Sequence, residues 1–320
     1  MKKVKTLEWI MLLDMLFYSF RNGIIYCLHQ FISSSIITLG DDMFISPMLL
    51  QYANNNLPFD KPNHIAELKL DGIRLIASNM NNLKLYTRHN NDVTHKFPEL
   101  LNNEIPKGTI LDGEVIITDE NGKPDFEAMM SRFQSRFKNQ AVTFCAFDII
   151  CHNGIDVTKL PLYKRKELLQ KVLRDSERVV KVQSIEGSAK AYFEVIKKYG
   201  LEGIVIKDLN SKYFPDTRSW SWQKAINWTY VDVYISGYRK DKFGWLTSIL
   251  SPDGKMIPTG IVEYGVNTEN KKEFRRLTHK TKMGEDKNFV YIEPIVRAQV
   301  KTRNWTKSGK LRTPVFVKFL

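Results

Sequence analysis

Lys69-Leu70-Asp71-Gly72-Ile73-Arg74 decides how this sequence is read. A lysine, an Asp-Gly turn pair and an arginine sit between two short alternating runs, 66–70 and 74–78, that read as strands. Alone, the hexapeptide is also compatible with a surface turn, because Asp-Gly is a common turn dipeptide. Four specified residues at ~1 in 20 each would recur by chance roughly 0.002 times in such a chain. The decision rests on what stands around it.

Outward from that stretch, 83–87, 109–118 and 142–151 read as further strands, and 126–137, 164–173 and 189–199 carry helical spacing. Pro161 is suitably placed for entry into the second of these helices. A second β-rich stretch begins at 231–238 and continues through 245–250, a Ser-Pro-Asp-Gly turn at 251–254, and 260–264. A lysine- and arginine-rich helix is expected over 268–280, followed by strands at 291–301 and 314–319. About five strands with one helix outline a small closed barrel of the oligonucleotide-binding type. The loop 281–288, with Lys282 and Lys287, is expected to order only on a bound polyanion.

The 320 residues suffice for two domains, and 43% hydrophobic with 26% charged residues argues against disorder, collagen and coiled coil. With 48 Lys+Arg against 35 Asp+Glu, the net charge of +13 points to a polyanionic partner. Segment 231–320 holds 18 basic and 9 acidic residues, whereas 43–230 holds 26 and 22, so most of the excess forms a C-terminal basic module. Cys27, Cys145 and Cys151 include no C-x-x-C pair, which excludes a zinc ribbon and a disulfide framework and fits a reducing, cytoplasmic setting. Lys2, Lys3 and Lys5 precede an apolar run at 9–20 that superficially resembles a signal peptide. Asp14 interrupts the run, Arg21 closes it, and it is shorter than the ~20 residues of a membrane span. Segment 1–42 is therefore read as an extension. Leu39-Gly40-Asp41-Asp42 is encodable by a ribosome-binding string, which makes Met43 a candidate natural start.

Downstream of the hexapeptide come Thr87-Arg88-His89-Asn90, Thr94-His95-Lys96-Phe97-Pro98-Glu99-Leu100, Leu111-Asp112-Gly113-Glu114-Val115-Ile116 and Phe144-Cys145-Ala146-Phe147-Asp148. Glu202-Gly203-Ile204-Val205-Ile206-Lys207, Arg218-Ser219-Trp220-Ser221-Trp222-Gln223-Lys224 and Leu311-Arg312-Thr313-Pro314-Val315-Phe316 complete the series. A lysine amine needs its neutral form to attack a phosphate, and clustered cations favour that form while holding a triphosphate. Carboxylates among arginines and lysines suit hard-cation ligation and phosphoryl transfer. Phe147, in an otherwise aliphatic strand, is either a base-stacking ring or plain core. His64, His89, His95, His152 and His279 show no metal-ligand spacing, and Trp220, Trp222 and Trp228 read as core or hinge packing rather than stacking platforms.

In order and spacing the series resembles the ATP-dependent DNA ligases of the covalent nucleotidyltransferase superfamily, of the short two-domain bacterial or phage type, over 43–320. The resemblance implies an α+β chain: an ATP-grasp-like adenylation domain of antiparallel sheets at 43–230, then a small all-β OB-fold domain at 231–320. It implies that Lys69 becomes lysyl-AMP and that Glu67 reads the adenine amino group. Arg74 and Arg88 would contact ribose, phosphates and the nick, Glu114 the ribose and Phe147 the base. Glu114 and Glu202 would hold Mg²⁺ (Mn²⁺ substituting), while Lys207, Arg218 and Lys224 bind the nucleotide. Arg312 would orient the departing pyrophosphate. ATP and nicked double-stranded DNA are the implied partners of a cytoplasmic monomer in a bacterial or phage-infected cell, away from membranes.

Three departures bear on self-adenylation. Ile226 stands where the family often has a second lysine, Val315 where it has an arginine, and R-x-D-K does not follow. An RNA ligase or a GTP-using capping guanylyltransferase shares the lysine motif, and a catalytically lapsed nick-binding protein is the reading from another class. The Phe97-Pro98-Glu99-Leu100 block favours the DNA ligase, and the retained Lys69, Glu114 and Glu202 argue against lapsed chemistry.

Overall fold

The computed structural model describes residues 43–101, 104–135 and 140–320, so the expectations for the 1–42 extension lie outside the described residues. Three sheets carry the chain. In one, β3 (Ile73–Asn79) lies between β4 (Lys84–Thr87) and β5 (Thr109–Ile116), and β6 (Thr143–His152) and β7 (Ile155–Asp156) extend the antiparallel order β4-β3-β5-β6-β7. A short β8 (Val179–Lys181) adds to β6 in parallel. In the second sheet the order is β1 (Leu49–Tyr52), β11 (Arg218–Ile226), β10 (Gly203–Asp208), β2 (His64–Leu68), β9 (Ser184–Glu186), antiparallel except where β1 runs parallel to β11.

Both sheets arise from alternating or wholly apolar runs whose buried faces meet. Ile76, Tyr86, Ile110 and Ile150 of the first sheet pack with Ile65 and Trp222 of the second. Behind the first sheet lies a cluster including Phe97, Leu111, Phe144 and Leu169, in which Phe97 and Leu100 of the block at 97–100 are fully buried. Behind the second, α3 (Ala189–Lys198) sets Phe193 and Ile196 against Ala66, Ile204 and Ala225. Helix α1 (Phe126–Gln134) starts at Asp125, whose carboxylate accepts from Ala128 N–H at 2.9 Å, and α2 (Leu162–Val172) starts at Pro161. The expected helix at 126–137 ends at Gln134 within the described residues. Inside this half, the fully buried Arg165 of α2 pairs with the fully buried Asp148 through two 2.9 Å bonds, tying helix to sheet.

The third sheet begins after only Asn227 and Trp228. Its order is β14 (Met256–Val262), β13 (Trp245–Leu250), β12 (Thr229–Arg239), β16 (Phe289–Thr302), β15 (Lys282–Glu285), with β17 (Val315–Phe319) also on β16. A parallel bridge from Tyr264 to Val315 joins the end of β14 to β17, so the sheet curls back on itself. Trp245 and Phe274, the latter from α4 (Thr268–Thr278), centre its core. A reciprocal pair between Asn267 and Asn270 caps α4. The expectation of a loop at 281–288 that orders only on a partner is corrected: β15 lies there, paired to Ile292, Tyr291 and Val290, with Glu285 held between Lys240 and Lys282. No helix among the described residues is long and apolar enough to cross a membrane.

Candidate active site

Register places the lysine. Strand β2 pairs with β10 (Glu67 opposite Val205, Leu68 opposite Ile204), and just past its end Lys69 N–H donates to the Gly203 carbonyl at 2.9 Å. The nucleophile candidate therefore lies beside Glu202, and its Nζ donates to Glu202 Oε2 at 2.8 Å. The chain then turns at Asp71-Gly72 into β3. A Cβ on Gly72 would lie 2.2 Å from the Val115 carbonyl oxygen, so the turn packs too closely against β5 for any other residue.

A cleft of about 430 Å³ opens between the first two sheets, lined by Glu67, Lys69, Arg74, Glu114, Phe147 and Lys207 with Trp222. These six are all residues the sequence had singled out. Arg74 is clamped by Asp112, at 2.9 Å from Nε and 2.6 Å from Nη2, and Tyr213 donates to the same carboxylate at 2.6 Å. Burial pulls the pKa of Arg74 down, but its pairing with Asp112 outweighs that and raises it, so the guanidinium is a fixed cation. Two charge centres lie near the Phe147 ring, Arg74 at 5.2 Å and Lys207 at 4.6 Å from its centroid, and the ring meets Trp222 edge-on. It is half-buried and packs against the core that includes Trp222.

Glu67 is almost fully buried and pairs with two lysines, Lys207 at 2.6 Å and Lys166 of α2. Burial lowers the pKa of Lys207, opposed by Glu67. Glu114 lies across the cleft; burial pushes its carboxyl up to about 7, with Lys69 and Arg74 pulling down and Glu202 pushing up. Next to this cleft, and sharing Lys69, is a polar chamber of about 660 Å³ lined by Asp71, Lys123, Glu202, Arg303 and Asn304.

The chamber is roofed by a turn of the third sheet. Between β16 and β17, an isolated Trp305–Leu311 bridge marks a hairpin that docks on the first two sheets by three ion pairs. Arg303 reaches Glu202 Oε1 at 2.8 Å, Lys307 reaches Asp125 at 2.7 Å, and Arg312 grips Asp71 at 2.6 and 2.8 Å. Asp71 of the opening hexapeptide thus holds Arg312, 241 residues away.

The remaining expected residues stand further out. Lys224 on β11 lies over the Tyr52 ring at 4.1 Å, and burial together with the cations Lys69, Arg303 and Arg218 lowers its pKa to about 8. Arg218, exposed at the start of β11, donates to the Leu50 carbonyl. Arg88 is exposed in the turn after β4 and does not line the cleft. Sequence reasoning missed Lys166, Tyr213 and Arg303, and quoted Asp71 and Asp112 without a role. Asp71 and Asp112 had a signal, since each adjoins a chemically marked glycine; Lys166 and Arg303 come from segments with none.

A lysine set against a carboxylate, with fixed cations and a polar chamber beside it, is the arrangement that phosphoryl transfer onto an amine requires. The fold and this site define a nucleotidyl-transferring class, and the comparisons with known proteins agree. The profile of the ATP dependent DNA ligase domain matches residues 47–225, and the chain belongs to that family. The SPbeta prophage-derived DNA ligase-like protein LigB of Bacillus subtilis (strain 168) is 45% identical over 275 residues, 86% of this chain and 98% of that protein. The multifunctional non-homologous end joining DNA repair protein LigD of Mycobacterium tuberculosis (strain ATCC 25618 / H37Rv) is 28% identical over 269 residues, 77% of this chain; the chain spans about a third (34%) of its length. Among solved structures, mycobacterial DNA ligase D complexed with ATP and MES superimposes with a TM-score of 0.54 at 25% identity, covering 86% of this chain and 95% of that one. A Lig E DNA ligase, described as a minimal DNA-binding scaffold, shares the fold with a TM-score of 0.61 at 18% identity, covering 87% and 100%.

Proposed function

We propose that this chain is an ATP-dependent DNA ligase that seals nicks in duplex DNA in three steps, with Lys69 as the nucleophile. The observation that carries the reading is the placement of Lys69 Nζ at 2.8 Å from Glu202, at the junction of an apolar cleft and a polar chamber. In the first step the Lys69 amine, its extra proton lost to solvent, donates its lone pair to the α-phosphorus of ATP. A P–N bond forms and pyrophosphate leaves with the electrons of the broken P–O bond. A 5′-phosphate oxygen at the nick then attacks the same phosphorus, the P–N bond breaks and the Lys69 amine takes up a proton; finally the 3′-hydroxyl, losing its proton to solvent, attacks the 5′-phosphorus and AMP leaves.

This chain's residues divide the work by position. Phe147 offers a ring face to the base, and Glu67, an ion-paired carboxylate that only accepts, suits the adenine amino group and opposes the guanine carbonyl. The buried indole Nε1 of Trp222 has no hydrogen-bond partner among the described residues, which leaves a donor for a ligand in this cleft. Arg74, Lys207 and Lys224 hold the phosphates, Arg218 and Arg88 extend the cationic surface outward, and Arg312 addresses the leaving group.

Glu114 and Glu202 are hard oxygen donors whose charges both act on the Lys69 surroundings, and Glu114 makes no side-chain hydrogen bond among the described residues, which suits a divalent ion. Bound Mg²⁺ or Mn²⁺ would neutralise charge gathering on the phosphate oxygens.

We read 43–230 as the adenylation domain and 231–320 as an OB-fold domain. The β12-β13-β14 meander, the helix α4 before β16 and the Tyr264–Val315 closure support the latter. The monomer would swing its C-terminal domain about Asn227 and Trp228, closed on ATP and then wrapped on DNA, in the cytoplasm of a bacterium or phage-infected cell. The test is incubation with α-labelled ATP or GTP and peptide mapping. Label from ATP on the Lys69 peptide, absent in Lys69→Ala, is expected; label from GTP alone would assign the chain to capping chemistry, and no label with nick binding intact to a lapsed binder.

A further inference from the structure

Ile226 is the position where a second cation is missing from β11, and the structure places another cation beside the same carboxylate. Ile226 is 1% exposed and pairs in register with Gly203, next to Glu202. A lysine there would have to leave the core to reach solvent. The guanidinium of Arg303 instead arrives from the C-terminal sheet. Its centre lies 4.6 Å from the Trp228 ring and its Nη1 forms an ion pair with Glu202 Oε1 at 2.8 Å, while Lys69 holds Oε2. Arg303 also lines the polar chamber that continues from Lys69, and its charge is among those that depress Lys224.

We propose that Arg303 is a triphosphate-binding residue of the first step, one that engages the β- and γ-phosphates of ATP and leaves Glu202 when it does so. This rests on the nucleotidyl-transfer reading above and deepens it. The pyrophosphate leaving the α-phosphorus of ATP carries three or more negative charges into a chamber whose walls include Asp71 and Glu202, so a cation that can turn toward it is required there. A planar guanidinium gives bidentate contacts to phosphate oxygens, and the Trp228 face keeps it ordered when it lets go of Glu202. Because it is mounted on the third sheet, this cation is present only while that sheet is docked. A lysine on β11 would instead attend every step. Pyrophosphate handling would thereby be confined to the closed arrangement.

The experiment compares wild type, Arg303→Ala and Arg303→Lys in two assays of the full chain. One is the rate of self-labelling against ATP concentration. The other is discharge of the labelled protein by added inorganic pyrophosphate, which reverses the first step. For Arg303→Ala the KM for ATP and the pyrophosphate concentration for half-maximal discharge should each rise about 10- to 100-fold, the loss of one or two charged hydrogen bonds. Arg303→Lys should fall between, and sealing of a pre-adenylated nick should suffer less than self-labelling does. Unchanged KM and unchanged pyrophosphate response overturn the proposal. So does an equal loss of self-labelling and pre-adenylated sealing with a lowered melting temperature, which assigns Arg303 a structural role. Failure of wild type to label from ATP at all would instead overturn the ligase reading, so the two failures are distinct.

Discussion

Lys224 illustrates how one side chain's surroundings set a pH dependence. Its ammonium is half-buried among Lys69, Arg303 and Arg218, which holds its pKa near 8, well below the usual lysine range. The charge is therefore present below about pH 8 and lost above it. We predict that the KM for ATP in self-labelling climbs as pH passes through 8, and that Lys224→Arg, which stays charged, flattens the climb. A KM independent of pH in the wild type would remove Lys224 from the phosphate site. Arg74 belongs to the same scale. Its clamp by Asp112 and Tyr213 is invisible in the hexapeptide, because a motif names the group that acts and not those that hold it still.

The elements show which parts of the design a linear sequence can announce. Strands β3, β5, β6 and β13 were legible almost to their ends because each is an apolar run bounded by turn residues. The parallel pairing of β1 to β11, and of β8 to β6, was not: it joins segments distant in the chain and leaves no local mark. The site divides along the same line. Glu67, Lys69, Arg74, Glu114, Phe147 and Lys207 lie on or next to strands whose register converges on one cleft, whereas Lys166 reaches Glu67 from a helix and Arg303 reaches Glu202 from another sheet. The loop expected at 281–288 failed for a related reason, because short strands such as β15 are decided by the partner strand. Two stability predictions belong here. Gly72→Ala forces its Cβ into the Val115 carbonyl and should cost about 1–3 kcal/mol, read from denaturant midpoints. Asp148→Ala strands the buried Arg165 and should cost about 3–5 kcal/mol. A midpoint shift near zero in either variant would contradict the packing described.

At the scale of the whole molecule, part of the basic charge ties the third sheet to the rest of the chain. Segment 231–320 carries twice as many basic as acidic residues, 18 against 9, yet Arg303, Lys307 and Arg312 are engaged by Glu202, Asp125 and Asp71. Binding to nicked duplex should weaken with salt at a log–log slope of about −0.9 per phosphate neutralised. A flat response measured by anisotropy would reject the basic module as the DNA-gripping part.

The short joint between β11 and β12 has a further consequence. Asn227 is bonded through its N–H to the Glu202 carbonyl at 2.9 Å and through Nδ2 to that of Leu201 at 3.0 Å, so the tether is anchored at the residue whose carboxylate pairs with Lys69. With two residues of leash, the docking hairpin behaves as an intramolecular ligand whose effective concentration is of order millimolar. A C-terminal segment supplied as a separate chain would then have to reach that concentration to do the same work. Lengthening the leash with a flexible insert should dilute the closed population in proportion, turning linker length into a dial for the first step alone.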